Sequence, residues 1–366
     1  MCARVVGGYR PAVRIVWNSF HGRYGDNPRA LFERLRDRVG TEHVWLAQHA
    51  HLAGFPADVT TVDVDGPEAT EALEAADLVV ANTHTEVEWR KREGATYLQT
   101  WHGTPLKRVH RDVLWVPPGR LDHLDRDIAL WDWLLSPNAV ATSLLRQAFR
   151  WDGPVWETGY PRNDVLASAA HDERRAEVRD RLALEPDRTV VLFAPTWRDD
   201  EGYDTSRSVP LRLDLELVGR ALGDDHTVLL RAHNLVSGRW EATEQPWSRD
   251  VSTVPSDIAD LYTAADVLVT DYSSAMFDFS VTGRPIVFLA ADLEQYAGQT
   301  RGLYFDLWPD APGPLVRSTA ELVEVLRDLP SVREQYAAPY AAFRERYNSL
   351  EDGHATERVL DRLGLG

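Results

Sequence analysis

The strongest constraint on the fold is a regular alternation of short apolar segments with segments of helical period. The alternation occurs in two series, separated by a charged helical stretch at residues 171–182. Alternating strands and helices imply parallel sheets with right-handed crossovers. The second series opens with the continuous apolar run 189–194, as expected for a strand buried on both faces. Two such series predict two Rossmann-like domains.

The spacing of apolar residues gives the bounds of the elements. The first series predicts strands at 12–17, 44–47, 59–62, 78–81 and 96–99, with helices at 27–38, 68–76 and 137–150. The second predicts strands at 189–194, 227–230, 267–270 and 285–289, with helices at 213–222, 257–264 and 273–282. We place the first domain at 1–165 and the second at 186–345, with a linker helix at 166–185 and a C-terminal helix at 346–366.

Composition excludes several classes of protein. The 366 residues carry a net charge of −17, which argues against nucleic-acid binding because that function needs a basic surface. The single cysteine, Cys2, excludes an internal disulfide and a cysteine-based zinc site. No run of 18 apolar residues is present, and the first 17 residues lack a signal-peptide pattern. We therefore expect a cytoplasmic protein.

Ligands of open α/β sheets bind beyond the carboxyl ends of the strands, so polar residues directly after apolar runs are candidate site residues. His102 follows the predicted strand 96–99 and precedes Gly103 and Pro105 on a tight turn. An imidazole there can act as a general base, because its ordinary pKa lies near neutrality. A turn histidine bonded to the backbone is an equally good interpretation from position alone.

Two further strand ends in the second series carry polar residues. Thr196 and Arg198 follow the buried run 189–194 and are available to phosphate or ribose oxygens, although an ordinary loop is the better explanation of this segment taken alone. Arg231 and His233 follow strand 227–230 and point to the same side of an extended chain, which suits a diphosphate. A salt-bridged arginine and a capping histidine are the structural alternative.

The segment after strand 267–270 offers an anion site. Asp271 ends the strand, and Ser273 is predicted to cap the helix that follows, which leaves free N–H groups at the positive end of the helix dipole. Ser274 adds a second hydroxyl, and Asp278 lies one turn further on the same face, where it can accept from ribose hydroxyls. A plain capped helix with a solvated Asp278 is the alternative.

At these residues the chain resembles the CDP-glycerol glycerophosphotransferase family, the teichoic-acid polymerases, primases and related enzymes. The sequence contains no phosphate-binding P-loop, HExxH or GxSxG motif. The matching segments, in order, are NSFHGRYGDNPRAL (18–31), QTWHGTPLK (99–107), WDWLLSPN (131–138), GYPRND (159–164), APTWRDD (194–200), RAHN (231–234), 257–279, RGLYFD (301–306) and DGHAT (352–356).

The resemblance implies an α/β, GT-B-like fold with two Rossmann-like domains facing a central cleft, the acceptor in the first and the nucleotide donor in the second. It implies that His102 is the catalytic base, that His233 and Arg301 bind the diphosphate, and that Ser273, Ser274 and Asp278 contact the donor. The implied reaction transfers glycerol phosphate from CDP-glycerol, or another CDP-alditol, to a hydroxyl acceptor that is lipid-linked or a glycan, with release of CMP.

We expect no cofactor and no essential metal, because Arg231, His233, Arg301 and the helix N-terminus can neutralise the diphosphate. The segment 107–126 has five basic and three acidic residues around the apolar cluster 114–116, and we predict weak contact with a membrane surface there. Packing of this segment on the protein is the alternative. Two other functions remain open: a nucleotide-sugar glycosyltransferase or epimerase of the same fold, and a non-catalytic nucleotide-binding protein.

Overall fold

The chain forms two lobes, each built on its own parallel sheet. A computed structural model describes residues 12–114, 116, 118–196, 209–232, 245–252, 257–296 and 302–366. Arg198, His233 and Arg301, predicted above as site residues, lie outside these ranges. Among the described helices, none has the length and apolar composition needed to cross a bilayer.

The first sheet has seven strands, in the order β3-β2-β1-β4-β5-β6-β7, and every pairing is parallel. The strands are β1 (Val13–Asn18), β2 (Thr41–Ala47), β3 (Thr61–Asp63), β4 (Leu78–Ala81), β5 (Thr96–Gln99), β6 (Trp133–Ser136) and β7 (Val155–Glu157). The connecting helices are α1 (Asp26–Leu35), α2 (Pro67–Ala75), α3 (Arg120–Ile128) and α4 (Ala139–Phe149).

The second sheet has six parallel strands in the order β10-β9-β8-β11-β12-β13, the same doubly wound order as the first. The strands are β8 (Thr189–Phe193), β9 (His226–Leu230), β10 (Ser248–Asp250), β11 (Val267–Thr270), β12 (Ile286–Leu289) and β13 (Leu315–Val316). The helices after β7 are α5 (Asp164–Ala167), α6 (His171–Arg181), α7 (Leu215–Leu222), α8 (Ile258–Ala264), α9 (Ala275–Phe279), α10 (Leu293–Gln295), α11 (Thr319–Arg327), α12 (Leu329–Gln335), α13 (Ala337–Tyr347) and α14 (Ala355–Arg362).

Both sheets are covered on both faces, which explains why their strands are continuously apolar. In β8, Val190 and Leu192 belong to the core on one face, whereas Val191 and Phe193 belong to the core on the other. Successive side chains of a strand point to opposite faces, so an unbroken apolar run fills both cores at once. The strands predicted from apolar runs are confirmed at all of these positions to within a few residues.

The two segments predicted outside the domains pack on different sheets. Val178 of α6, in the segment expected to be a linker, is buried in the same core as Leu192 of the second sheet. Val359 and Leu360 of α14 are buried with Trp17 and Leu31 of the first lobe. The chain therefore crosses from the first lobe to the second after β7 and returns before α14.

Candidate functional site

The carboxyl ends of both sheets face each other, and the predicted residues of the two series meet there. His102 lies after β5 of the first lobe, and Ser274 lies after β11 of the second. The residue between them is Gly103: a Cβ built on it would lie 2.9 Å from the Ser274 hydroxyl oxygen. A Cβ there would require the Ser274 side chain to shift, and the φ of 157° at Gly103 is one that other residues rarely adopt. The turn that carries His102 and the start of α9 therefore share one cleft.

The turn before His102 is strained and firmly held. Trp101 has a φ of 52°, in the left-handed region that a bulky side chain rarely adopts. Its N–H donates to the Gln99 side chain at 2.9 Å, and its carbonyl accepts from the Asn27 amide at 3.1 Å. Hydrogen bonds from both sides thus fix the backbone that orients His102.

The imidazole of His102 is held in one tautomer. Its Nδ1 lies 2.6 Å from the carbonyl oxygen of Asn82, which can only accept, so Nδ1 carries the proton and Nε2 keeps the lone pair. The centroid of the Trp101 ring lies 4.1 Å from that of the imidazole, and the centroid of the Phe20 ring lies at 5.3 Å in an edge-to-face arrangement. Burial among these rings lowers the pKa of His102 to about 4, against the opposing effect of the Asn82 bond. The ring is therefore neutral at pH 7 and able to accept a proton at Nε2.

The predicted donor residues of the second lobe are joined to each other and to the first lobe. Asp271 accepts from the backbone N–H of Thr196 at 2.7 Å, which ties the ends of β8 and β11 together. The Lys107 ammonium of the first lobe lies 3.5 Å from the Thr196 hydroxyl. Arg231 donates to the Val251 carbonyl at 2.7 Å. Within the described ranges, no cluster of three His, Cys, Asp or Glu side chains is arranged to hold a metal ion.

The prediction that Ser273 caps a helix is wrong. Helix α9 begins at Ala275 and has only five residues, followed by a single 3₁₀ turn at Ser280–Thr282. Ser274, which precedes it, has helical dihedral angles and makes no side-chain capping bond. The Ser273 hydroxyl accepts from the Ala275 N–H at 3.3 Å, so it closes a local serine turn and does not cap. Any anion contact here comes from the two hydroxyls and the first turn, not from a long helix dipole.

Asp278 is neither solvated nor open. It is buried, and its two oxygens accept from Arg162 at 2.7 Å and from the Asn163 amide at 2.9 Å. Both partners come from the first lobe, in the segment GYPRND (159–164). Burial raises the pKa of Asp278, and the Arg162 guanidinium opposes that rise. In this structure Asp278 joins the lobes, and its predicted contact with the donor stays a prediction.

Arg162 is the centre of the contact between the lobes. Its Nη1 pairs with Asp26 at the start of α1 and also donates to the His102 carbonyl at 3.0 Å. Its Nη2 pairs with Asp278, and its backbone N–H donates to the Asn27 side chain at 3.2 Å. One buried guanidinium thus binds the base-carrying turn, the first helix and the second lobe. No local sequence pattern points to this role, although Arg162 lies in the matched segment GYPRND (159–164).

Glu351 lies beside the ion cluster formed by Arg162, Asp26 and Asp278, and it is also buried. It accepts from the backbone N–H of Tyr160 at 3.1 Å. Burial, with a contribution from the neighbouring Asp278, raises the pKa of Glu351 to about 8. The Glu351 carboxyl is therefore mostly protonated and neutral at pH 7, which limits the negative charge buried around Arg162.

A sequence model of the family described as CDP-Glycerol:Poly(glycerophosphate) glycerophosphotransferase matches residues 10–365. The chain belongs to this family. The resemblance seen in the sequence is thereby confirmed, and with it the assignment to the glycerophosphotransferases in preference to a nucleotide-sugar enzyme or a non-catalytic binding protein.

Relatives within the glycerophosphotransferase family are similar over most of this chain. The teichoic acid glycerol-phosphate transferase of Staphylococcus aureus is 37% identical over 360 residues, covering 95% of this chain and 92% of that protein. The teichoic acid poly(glycerol phosphate) polymerase of Bacillus subtilis is 34% identical over 360 residues, covering 95% of this chain and 48% of that protein. The chain therefore spans about half the length of that polymerase.

Solved structures confirm the GT-B-like fold. The wall teichoic acid polymerase TagF superposes with a TM-score of 0.87 at 35% identity, over 96% of this chain and 88% of that one. A UDP-N-acetylglucosamine 2-epimerase superposes with a TM-score of 0.53 at 13% identity, over 97% and 96%. At 13% identity, the similarity to the epimerase concerns the fold alone.

The Arg162 cluster predicts a specific stability change. Arg162→Met leaves the buried carboxylates of Asp26 and Asp278 without a cation, which typically costs about 3–5 kcal/mol. We expect the free energy of unfolding in urea to fall by that amount. Arg34→Met, which removes an exposed guanidinium on α1, is the control and stays near wild type. A loss below about 1 kcal/mol for Arg162→Met, a size typical of exposed ion pairs, contradicts this account of the cluster.

Proposed function

We propose that this chain transfers glycerol phosphate from CDP-glycerol to a hydroxyl acceptor and releases CMP. The family supports the donor and the reaction class. The observation that carries the proposal is the cleft itself, in which the turn that carries the neutral imidazole of His102 meets Ser274 of the other lobe at Gly103. A base and an anion-binding turn on opposite walls suit transfer of a phosphoryl group between two bound substrates.

The reaction follows from this arrangement. The acceptor oxygen attacks the β-phosphorus of CDP-glycerol, and its proton passes to Nε2 of His102. A new P–O bond forms to the acceptor, the bridging P–O bond of the diphosphate breaks, and CMP leaves with the electron pair. The negative charge of the bound diphosphate stabilises the imidazolium that forms, which offsets the low proton affinity of the empty site.

The donor is bound by the second lobe in this proposal. Thr196, Ser273 and Ser274 supply hydroxyls, and Arg231 supplies positive charge. From the sequence we also predict donor contacts at Arg198, His233 and Arg301. Because guanidinium and imidazolium groups can stabilise a developing phosphate charge, we propose that no divalent metal is essential. Undiminished turnover in excess EDTA is the corresponding expectation.

The acceptor is a teichoic-acid type polymer or its primer in this proposal, supported by the names of the relatives. A lipid-linked acceptor would bring the enzyme to a membrane surface, and the segment 107–126 is the proposed contact. Leu114 there is exposed. Three of the five basic residues nevertheless form ion pairs: Arg111 with Asp125, Arg120 with Glu86, and Arg126 with Glu88. The charge available to anionic lipid is thereby reduced, so we propose weak contact.

The function is tested by incubating the protein with CDP-glycerol, and in parallel with CDP-ribitol, against lipid-linked acceptors, with mass spectrometry of the products. We expect acceptors extended by glycerol phosphate, and CMP in equal amount. His102→Ala removes the base and should lower kcat about 10²- to 10⁴-fold. Transfer that proceeds unchanged in His102→Ala removes this residue from the mechanism, and sugar transfer from a nucleotide sugar would replace the proposed reaction.

The pH dependence follows from the pKa of His102, which burial lowers to about 4. The imidazole accepts a proton only when neutral, so kcat/KM should stay high down to about pH 5. Below the pKa, activity should fall about tenfold per pH unit. If kcat/KM instead falls on the acid side with an apparent pKa near 6.5, the ordinary value for histidine, the base is not a buried neutral imidazole.

That pH profile needs a folding control. The pKa of buried His110 is also lowered to about 4, so both rings resist protonation when folded and accept protons when unfolded. Stability is therefore lost as pH falls from about 6.5 towards 4. Unfolding curves recorded at each pH separate this loss from titration of the base.

The membrane contact predicts partial co-sedimentation with vesicles that contain anionic lipid, weakened by salt. Leu114→Ser, at an exposed position of the segment, should reduce the bound fraction. The control Leu52→Ser changes an exposed leucine elsewhere on the first lobe and should have no effect. Absence of co-sedimentation, with and without acceptor lipid, would remove the contact from the proposal.

A further inference from the structure

The topology of the second sheet locates a ligand-binding crevice. From β8 the chain passes first to β9 and β10 on one side, and it then crosses to β11, β12 and β13 on the other. Ligands of such doubly wound sheets bind at this switch point, beyond the carboxyl ends of the two central strands. Thr196 follows β8 and Asp271 follows β11, and the Thr196 N–H donates to the Asp271 carboxylate at 2.7 Å. Side chains that contact Thr196 are therefore next to the expected ligand.

A short segment of the first lobe that contains Lys107 is paired with the second lobe. Lys107 and Leu303 lie opposite each other in an antiparallel bridge. On one side of it the Tyr304 N–H donates to the Leu106 carbonyl at 2.9 Å, and on the other the Arg108 N–H donates at 3.1 Å to the carbonyl that precedes Leu303. Leu106 is buried in the core of the second sheet. The backbone of Lys107 is therefore fixed on the second lobe, although it belongs to the first.

The side chain of Lys107 extends to the switch point. Its ammonium nitrogen lies 3.5 Å from the hydroxyl oxygen of Thr196. This distance is long for a hydrogen bond, and a neutral hydroxyl is a weaker acceptor for an ammonium than a phosphate oxygen is. Asp271 places a carboxylate at the same edge, so a phosphate group that enters the crevice needs a cation beside it. The Lys107 ammonium supplies that charge from the opposite lobe.

The identity of this residue as lysine is itself informative. Of the 40 lysine and arginine side chains, only Lys91 and Lys107 are lysines. Lys91 donates to the Leu130 carbonyl and to the Asp132 carboxylate, both at 2.6 Å, so its small ammonium serves two oxygens at once. An ammonium is a compact charge on a flexible stem with rotatable donors, whereas a guanidinium is planar and directional. The ammonium is the better partner for an oxygen that moves during a reaction.

We propose that Lys107 binds the β-phosphate of the donor from the first lobe and stabilises the charge on this phosphoryl group during its transfer. The assignment deepens the proposed function and rests on it for the identity of the donor. The β-phosphorus is the atom attacked by the acceptor, whose proton passes to His102. Lys107 lies five residues after His102 on the same connection, so we assign it to this phosphate and not to the α-phosphate.

The chemical role of Lys107 in this proposal is electrostatic. Its N–H donates to a non-bridging oxygen of the β-phosphorus while the bond to the acceptor oxygen forms. The bridging P–O bond then breaks, and CMP leaves with the electron pair. Lys107 stays protonated throughout and gains no bond, so its effect comes from a fixed positive charge where negative charge develops.

The test compares Lys107→Met and Lys107→Arg with the control Arg34→Met, at an exposed position of α1. Calorimetry measures the Kd of CDP-glycerol, CDP and CMP, and steady-state kinetics measures kcat. For Lys107→Met we expect the Kd of CDP-glycerol to rise or kcat to fall by about 10- to 100-fold, the effect of one lost charge-assisted bond. The Kd of CMP, which has no β-phosphate, should stay within about twofold of wild type.

The two other variants refine the result. Lys107→Arg keeps the charge but not the compact ammonium, so it should recover only part of the loss, and Arg34→Met should match wild type. Unchanged binding of CMP also shows that the donor site of Lys107→Met is folded. Thermal unfolding of each variant is recorded in parallel.

The pattern across the three nucleotides decides the proposal. Weaker binding of CDP with unchanged binding of CMP in Lys107→Met supports the β-phosphate contact even if the wild-type protein transfers no glycerol phosphate, which separates this proposal from the proposed function. A lysine that only joins the lobes would weaken all three nucleotides alike and lower the unfolding temperature, and that pattern overturns the proposal. All Kd values and kcat within about twofold of wild type in Lys107→Met overturn it as well.

Discussion

The architecture depends on one buried ion cluster, in which Arg162 is paired with carboxylates of both lobes. In the low dielectric of a protein interior an unpaired charge is costly, so neither Asp26 nor Asp278 can leave the guanidinium without a penalty. Such a cluster adds little net stability compared with apolar packing, but it is demanding in geometry. It therefore fixes the relative position of the lobes more than it strengthens the fold.

The position of His102, the candidate base, depends on the same cluster. Arg162 also holds the His102 carbonyl, and Asn27, which follows Asp26, holds the carbonyl of the strained Trp101. The same residues that join the lobes thus set the backbone on both sides of the peptide that carries the imidazole. Strain at Trp101 persists because several hydrogen bonds oppose its relaxation, as is common where a side chain has to be presented in one orientation. The contacts that set the relative position of the lobes therefore also set the position of the base.

Much of the fold follows from the sequence, because apolar runs of strand length leave few alternatives to a parallel sheet covered on both faces. The run 189–194 and the turn at His102 were placed correctly for that reason. Contacts between residues far apart in sequence leave no local pattern, so the bond between Arg162 and Asp278 was not foreseen. The cap at Ser273 was wrong because a serine before a helical pattern forms a local turn as readily as a cap.

The return of α14 to the first lobe has a mechanical consequence. The outgoing and returning crossings run side by side: a Cβ at Gly159 would lie 2.6 Å from the Leu350 carbonyl, and Asp164 accepts from the N–H groups of Ala355 and Thr356 at 2.9 Å and 2.8 Å. Two covalent tethers along one edge, joined to each other by these contacts, resist sliding of one lobe past the other, so the chain itself keeps the two strand-end edges aligned.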